Sequence, residues 1–260
     1  MPFNPTRRNR NIGTPKQGHG QNNRMIIPRP WNSTRWCVAQ LDPSQTLHRT
    51  VNGRDVMLIV EKTSGRCSHA CTVEDVVFVL SHVPLADWAG LETFVLRQPT
   101  RKARLLGPVW GRMFCDANLG FRGSSIVKSG PAIFLEACGV GDIIDWPTSL
   151  DSEDAAELDR LRLDGHDVSR VGKKHLVSPS LDAVRATQLY RTLLHEIGHW
   201  RDWLEKVEMP SDQGEGYSTL YDRYFARPKS EREAFAHRYA DNLRATLEKK
   251  GVIPFPRIEA

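Results

Sequence analysis

The sequence predicts an α+β protein in which a small mixed or antiparallel sheet packs on two helices near the C-terminus. Three observations carry this prediction. Short β-type runs separated by Gly, Pro and Ser clusters lie within residues 93–136. A strongly helical pattern with one apolar stripe follows from Ser180 to about Lys206. A last helical pattern begins near Ser230 and ends near Lys249.

The composition is that of a globular protein. The chain has 260 residues, of which 40% are hydrophobic and 26% charged, so it can bury a sizeable core. Collagen-like, coiled-coil and disulfide-dense proteins are excluded. We divide the chain into a disordered basic tail (1–30), a β-hairpin extension (31–70), a main domain (71–250) and a C-terminal tail (251–260).

The net charge of +5 originates in the N-terminal tail. Residues 1–36 hold seven of the 36 basic residues and no Asp or Glu, so the rest of the chain holds 29 basic and 31 acidic residues. A basic arm can contact nucleic acid, although its low aromatic content argues against base stacking. We expect a near-neutral body and keep nucleic acid as a candidate partner of the tail.

The sequence also predicts a compartment. No stretch approaches the roughly 20 apolar residues that cross a bilayer, and the first thirty residues lack the apolar segment of a secretory signal. Five cysteines, an odd number, fit a reducing interior better than a disulfide framework. We expect a cytoplasmic protein with no membrane partner.

Local signals place the elements of the first two thirds of the chain. Asn52-Gly53 favours a tight type I′ turn within a hairpin over Leu47–Glu61. Thr72 and Asp75 mark the start of a helix. Further elements are expected in this order: strands at Thr93–Leu96, Ala103–Phe114 and Ala132–Glu136, an acidic helix at about Asp151–Leu163, and a polar loop with His166 and His175.

The long helix contains the pattern HExxH, formed by His195, Glu196 and His199. Histidines four residues apart project from one helix face, so both imidazoles can reach one ion. Catalytic zinc binds His nitrogen at about 2.0–2.1 Å and keeps a position for water. Glu196 is the candidate general base for that water. The pattern therefore predicts a catalytic Zn²⁺ site.

These residues resemble the active-site helix of the zincin metallopeptidases. The resemblance covers about residues 73–249 at the level of element order. It implies a zincin-like fold, with the sheet packed on the HExxH helix, and hydrolysis of peptide bonds in a protein or peptide substrate. Arg201 departs from the family, which often has an apolar residue there, but this position lies beyond the ligands.

The third ligand separates the zincin subfamilies. Metzincins would need Gly at position 202 and His or Asp at position 205, where this chain has Asp202 and Glu205. Gluzincins supply a Glu from a later helix, often in an ExxA pattern. The segment 229–236 offers this pattern and also resembles ImmA/IrrE-type peptidases, with Phe235 in place of their usual Asn.

Two glutamates of that segment compete for the role of third ligand. The gluzincin resemblance implies Glu231, which lies three residues before Ala234. Glu233 is the rival, although with Ser230 it can instead form a capping box at the helix start. An acidic residue such as Glu231 is also favoured in a first helical turn by the helix dipole.

Two cysteine-containing segments offer alternative sites. Cys138 follows a predicted strand, as the Cys ligand of peptide deformylases does, but Gly198 replaces the Asp that those enzymes carry before the second His. Cys67, His69 and Cys71 form a single cluster of potential zinc ligands without a second pair, which is a weak signal.

Several other residues are candidates for supporting roles. Candidate donors to a transition-state oxyanion flank the Glu-bearing helix: Tyr217, Tyr221, Tyr224 and His237. Asp202, near His199, is a candidate partner that orients a ligand histidine. Either Val109–Phe114 or Ala132–Glu136 could pair with an extended substrate as a sheet edge.

The expected function is that of a zinc metallopeptidase. His195, His199 and Glu231 would bind Zn²⁺, with Glu196 as general base. The alternative is a zinc-binding regulatory or interaction module with the same fold, associated with nucleic acid through its tail. An intact Glu196 argues against the alternative, because a pure binding module has no need of the base.

Overall fold

A six-stranded mixed sheet and a layer of helices form the main body of the protein. They are seen in a computed structural model that describes residues 36–41, 44–100, 109–121, 127–139, 141–150 and 152–259. All of these residues belong to one compact unit of the chain. The expected α+β class is confirmed.

The strands are numbered in chain order. They are β1 (Trp36–Leu41), β2 (Ser44–Val51), β3 (Arg54–Glu61), β4 (Cys67–Ser68), β5 (Thr93–Arg97), β6 (Gly111–Phe121), β7 (Val127–Glu136), β8 (Cys138–Gly139), β9 (Ile144–Pro147), β10 (Asp167–Val171) and β11 (Lys174–Ser178).

The helices follow the same numbering. They are α1 (Val73–His82), α2 (Ser152–Leu163), α3 (Leu181–Thr187), α4 (Leu193–Trp203), α5 (Met209–Asp212), α6 (Tyr217–Ala226) and α7 (Lys229–Lys249). A 3₁₀ turn spans Leu85–Trp88. Two π-helical turns, Gln188–Thr192 and Leu204–Glu208, make α3, α4 and α5 one continuous helical run.

The main sheet has the strand order β1-β6-β7-β5-β3-β2. Of the four inner strands, β3, β5 and β7 are parallel to one another, whereas β6 runs antiparallel to β7. The edge strand β2 runs antiparallel to β3. β1 pairs in parallel with β6, but only from Asp116 to Phe121. The first half of β6 therefore has no second strand partner among the described residues.

The predicted hairpin is confirmed, but it is not an extension outside the main domain. Asn52 and Gly53 both have positive φ, 50° and 78°, as a type I′ turn requires, and Val51 pairs with Arg54 across them. β3 also pairs with β5, so the hairpin is part of the main sheet. The division at residues 31–70 is corrected accordingly.

Strand periodicity divides the apolar side chains between the two faces of the sheet. Leu96, Ile133 and Leu135 belong to the main core, together with residues of α1, α4, α6 and α7. Val95 and Phe134 belong to a second cluster on the opposite face. The HExxH helix thus packs directly on the sheet, with Leu194 and Ile197 fully buried.

The prediction of a polar loop after α2 is wrong, because β10 and β11 form a hairpin there, and β11 pairs with β9. Gly172 supplies positive φ in its turn. Most side chains of β10 are exposed, so the hydrophobic alternation that would reveal a strand is missing. His166 is buried beside this hairpin, with Nε2 2.9 Å from the Thr187 hydroxyl, and His175 lies in β11.

The predicted C-terminal tail is attached to the helices. The N–H of Ile258 donates to Asp75 at 3.0 Å, and the Thr72 hydroxyl donates to the Ile258 carbonyl at 2.7 Å. Arg185 donates to both oxygens of the fully buried Asp75, at 2.9 and 2.8 Å, and to the Phe255 carbonyl at 3.0 Å. Burial raises the pKa of Asp75, but these hydrogen bonds outweigh it and lower the pKa overall.

Two further expectations concern membrane-spanning helices and the basic tail. No described helix combines the length and the apolar composition needed to cross a membrane. The basic tail of residues 1–30, and the nucleic-acid contact expected of it, lie outside the described residues.

The Arg185–Asp75 pair generates a stability prediction. Arg185→Ala leaves a buried carboxylate uncompensated, so we expect the free energy of unfolding to fall by about 3–5 kcal/mol in urea titrations near pH 7. Arg49→Ala is the matched control, because Arg49 pairs with Glu74 on the same helix as Asp75 but remains 35% exposed. The control should lose at most about 1 kcal/mol. Equal losses in the two variants would contradict the prediction.

Candidate metal centre

α4 presents the two motif histidines side by side. His195 and His199 lie one turn apart, with ring centroids 4.6 Å apart. The helix around them is apolar on its buried side, which fixes the rotation of the helix against the sheet. The π turn at Gln188–Thr192 immediately precedes α4, and such turns often occur at functional sites.

α7 approaches α4 at a contact between two small residues. A Cβ atom added to Gly198 would lie 3.0 Å from Cα of Ala236 and 3.0 Å from the ring of Tyr239. No larger residue fits at position 198 without moving α7. Because Gly198 lies between the two histidines in sequence, this contact holds α7 beside them, and Glu233 lies one turn before Ala236.

Glu233 completes a three-residue cluster. Its Oε2 lies 3.4 Å from Nε2 of His195 and 3.3 Å from Nε2 of His199. The three residues can each offer one ligand atom within 4.8 Å of the other two. Hydrogen bonds with the two histidines hold the pKa of Glu233 well below its usual range.

The cluster fits the coordination preferences of zinc. Two imidazole nitrogens and one carboxylate oxygen are a known catalytic donor set for this ion. Atoms that lie about 2.0–2.1 Å from a tetrahedral ion lie about 3.4 Å from one another. The distances from Oε2 of Glu233 to the two histidine Nε2 atoms are close to this value. The side-chain arrangement therefore suits a small tetrahedral cation without rearrangement of the helices.

Glu233, and not the implied third ligand Glu231, is the carboxylate that lies beside the two histidines. Glu231 is exposed, and its carboxylate lies 3.7 Å from Nε of Arg227 instead of facing the histidines. The expected capping box is absent, because α7 begins at Lys229 after Pro228 and its start has no side-chain cap. Glu233 is therefore free to face α4. Its ExxA spacing to Ala236 was present in the sequence, but Glu231 has the same spacing to Ala234, so the pattern alone could not choose between them.

Glu196 occupies the expected place beside the cluster. It is only 9% exposed, and it faces the backbone of Met113 on β6. Burial raises the pKa of its carboxyl, and the neighbouring His199 and His195 offset part of this effect. A buried carboxylate between two histidines and a strand edge can accept a proton from a water and return it to a neighbouring group.

The strand edge beside Glu196 belongs to β6. Its first half pairs with β7 through Gly111–Phe114 and has no partner strand on the other side among the described residues, and a β-bulge follows between Phe114 and Ala117. A Cβ at Gly111 would lie 2.7 Å from the Phe134 carbonyl and 2.8 Å from Thr192, so β6 passes tightly over the start of the active helix. Of the two segments expected to accept a peptide, Val109–Phe114 has one side without a partner strand in the described part of the chain, and Ala132–Glu136 belongs to an inner strand.

The predicted oxyanion donors separate into two groups. Tyr217, Tyr221 and Tyr224 surround Trp203, with ring centroids 5.0–6.4 Å from its own. His237, one turn after Glu233, instead lies 4.4 Å from His195, centroid to centroid. Of these four candidates, only His237 has a ring contact with a motif histidine within the described residues. Burial and the charge of His195 lower the pKa of His237.

Asp202 does not orient a histidine. Its Oδ2 accepts a 2.7 Å hydrogen bond from Arg227, between α6 and α7, and the side chain is fully buried. Nδ1 of His195 is buried and has no hydrogen-bond partner among the described residues. Asp202 therefore fastens the segment before α7 to α4, and the expected role next to His199 is corrected.

The cysteine segments lie elsewhere. β4 and β8 pair so that Ser68 faces Cys138, and Nε2 of His69 lies 2.7 Å from the Glu61 carbonyl. Cys67, His69, Cys71 and Cys138 do not bring ligand atoms together as closely as the α4–α7 cluster, which is the one candidate metal group in the described part of the chain.

Comparisons with protein-family models, with curated proteins and with solved structures found no match to this chain.

The α4–α7 geometry predicts which glutamate matters for metal affinity. Glu233→Gln should weaken Zn²⁺ binding at least about 10-fold, because it removes a charged ligand. Glu231→Gln is the matched control on the same helix turn and should bind as the unaltered chain does. Competition against a chromophoric chelator measures both affinities. A larger loss for Glu231→Gln than for Glu233→Gln would contradict the assignment.

Proposed function

We propose that the chain is a zinc-dependent metallopeptidase of the gluzincin type within a zincin-like fold. One observation carries the proposal: a single Glu233 oxygen lies 3.4 and 3.3 Å from Nε2 of the two HExxH histidines. His195, His199 and Glu233 would hold the ion. When bound, Zn²⁺ supplies Lewis acidity that lowers the pKa of a water and polarises a carbonyl.

The protein's own residues supply the rest of the chemistry. Glu196 is placed to take a proton from the attacking water at its carboxylate and to pass it to the leaving amine nitrogen. Its burial keeps bulk water away from this proton. His237 is the candidate hydrogen-bond donor to the developing oxyanion, since its ring lies beside that of His195.

The open half of β6 supports a peptide as substrate. An extended chain can pair with the backbone of Gly111–Phe114, which has no second strand partner among the described residues, because a strand edge recognises main chain whatever the side chains are. Met113 lies opposite Glu196 on this edge. A peptide paired here would pass its backbone in front of the candidate base.

Replacement of the base tests hydrolysis separately from metal binding. Glu196→Gln should retain one zinc ion per chain and the wild-type circular dichroism spectrum, while peptide cleavage falls by about 10²-fold or more. Glu205→Gln is the control, because Glu205 pairs with Arg201 at the far end of the same helical run. Mass spectrometry of a mixed peptide library measures cleavage.

Two outcomes would overturn the proposal. Equal cleavage by wild type and Glu196→Gln would assign the hydrolysis to another group. Stoichiometric zinc without cleavage of any peptide in the library would favour the alternative of a metal-binding module without turnover.

A further inference from the structure

Gln188 is a buried amide that joins the helical run of the HExxH motif to the sheet. It opens the π turn immediately before α4, and it is only 2% exposed. Its Nε2 donates to the Trp110 carbonyl at 2.9 Å and to the Glu136 carbonyl at 2.8 Å. Trp110 directly precedes β6, and Glu136 is the last residue of β7. The amide therefore lies at the end of the β6–β7 ladder.

Only one orientation of this amide satisfies its three partners. Sγ of Cys71 lies 3.4 Å from Oε1 of Gln188. A thiol can donate a weak hydrogen bond, whereas a backbone carbonyl can only accept one. The amide oxygen must therefore face Cys71, and the NH₂ group must face the two carbonyls. Both polar atoms of the side chain have partners of the right type, so the side chain is fixed in place.

The same ladder determines which backbone groups of β6 face the open side. The N–H of Glu136 also donates to the Trp110 carbonyl, at 3.1 Å. Successive residues of an antiparallel strand direct their backbone groups to alternate sides. The carbonyl of Trp110 faces β7, so the backbone groups of Gly111 and Met113 face the side without a second strand among the described residues. These are the groups with which an extended peptide can pair.

The first half of β6 runs alongside α4 in the same direction. A Cβ atom added to Gly111 would lie 2.8 Å from the side chain of Thr192, the last residue of the π turn. Glu196 follows on α4 and faces the backbone of Met113. Three close approaches at four-residue spacing thus join the helical run to the strand: Gln188 to Trp110, Thr192 to Gly111, and Glu196 to Met113.

We propose that Gln188 is a positioning residue, which holds the open edge of β6 against α4 so that a peptide paired with Gly111 and Met113 presents its scissile bond to Glu196. This inference rests on the proposed peptidase function. A misplacement of about 1 Å can lower the rate of a reaction about 10²-fold. Loss of the amide should therefore slow the chemical step, while metal binding and main-chain pairing persist.

Gln188→Met tests the role, because it removes both donors and keeps a side chain of similar length. The substrate is the best-cleaved peptide of the mixed library, labelled with a fluorophore and a quencher. We expect kcat to fall about 10-fold or more, with KM changed less than about 3-fold. Zinc affinity, from competition against a chromophoric chelator, should stay within about 2-fold, because no candidate ligand is altered.

Cys71→Ala serves as the control, since it disturbs the same buried position and leaves both amide donors in place. Its kcat should stay within about 2-fold of wild type. Gln188→Asn keeps the amide but shortens the side chain by one methylene group, so it tests the same contact with less disturbance of the core. It should give an intermediate loss of kcat. Circular dichroism melting shows whether each variant is folded.

The outcomes separate the two proposals. Unchanged kcat in Gln188→Met and Gln188→Asn overturns the positioning role and leaves the peptidase standing. Equal losses in Gln188→Met and Cys71→Ala, or a parallel loss of zinc affinity, would show a general structural role and overturn it as well. No cleavage by the wild-type chain overturns both proposals.

Discussion

The contact between Gly198 and Ala236 is the constraint on which the candidate site depends. A side chain at position 198 would meet the backbone of α7 at 3.0 Å, so only glycine allows the two helices to approach this closely. The approach places Glu233 level with His195 and His199. A second connection fastens the same helices, since Tyr239 of α7 donates to Asp87 at 2.8 Å and Asp87 also pairs with Arg201 of α4.

The charged groups near this contact fall into two sets. Asp202 and Asp87 are paired with arginines, and these pairs connect α4 to the segment before α7 and to the 3₁₀ turn. Glu196 and Glu233 lie beside the two histidines instead. Removing one partner of a buried ion pair leaves an uncompensated charge, so these pairs resist rearrangement of the helices. A metal centre benefits when its ligands are held in place before the ion arrives.

Local patterns in the sequence predicted the parts of the structure that depend on neighbouring residues. The spacing of His195 and His199, the Asn52-Gly53 turn and the capping box of Thr72 and Asp75 are all contained within a few residues, and the last two are confirmed. The choice between Glu231 and Glu233 was not local. Residues two apart lie on different faces of a helix, so the ligand depends on where α7 begins and on how it crosses α4.

Pairing between strands that are distant in the chain likewise could not be predicted from the sequence. The residues of β3 do not show that this strand pairs with β5, which follows it after α1. The side chains of β10 are mostly exposed, so they lack the hydrophobic alternation that predicts a strand. The C-terminal segment has little apolar periodicity, yet buried hydrogen bonds to Asp75 and Arg185 hold it.

The most direct test of the metal centre is zinc K-edge X-ray absorption on the zinc-loaded, full-length chain. A centre formed by His195, His199 and Glu233 predicts a first shell of nitrogen and oxygen only, at about 2.0–2.2 Å, with outer-shell scattering from two imidazoles. A sulfur scatterer at about 2.3 Å would show that a cysteine binds the ion instead. That result would contradict the assignment of the metal to α4 and α7.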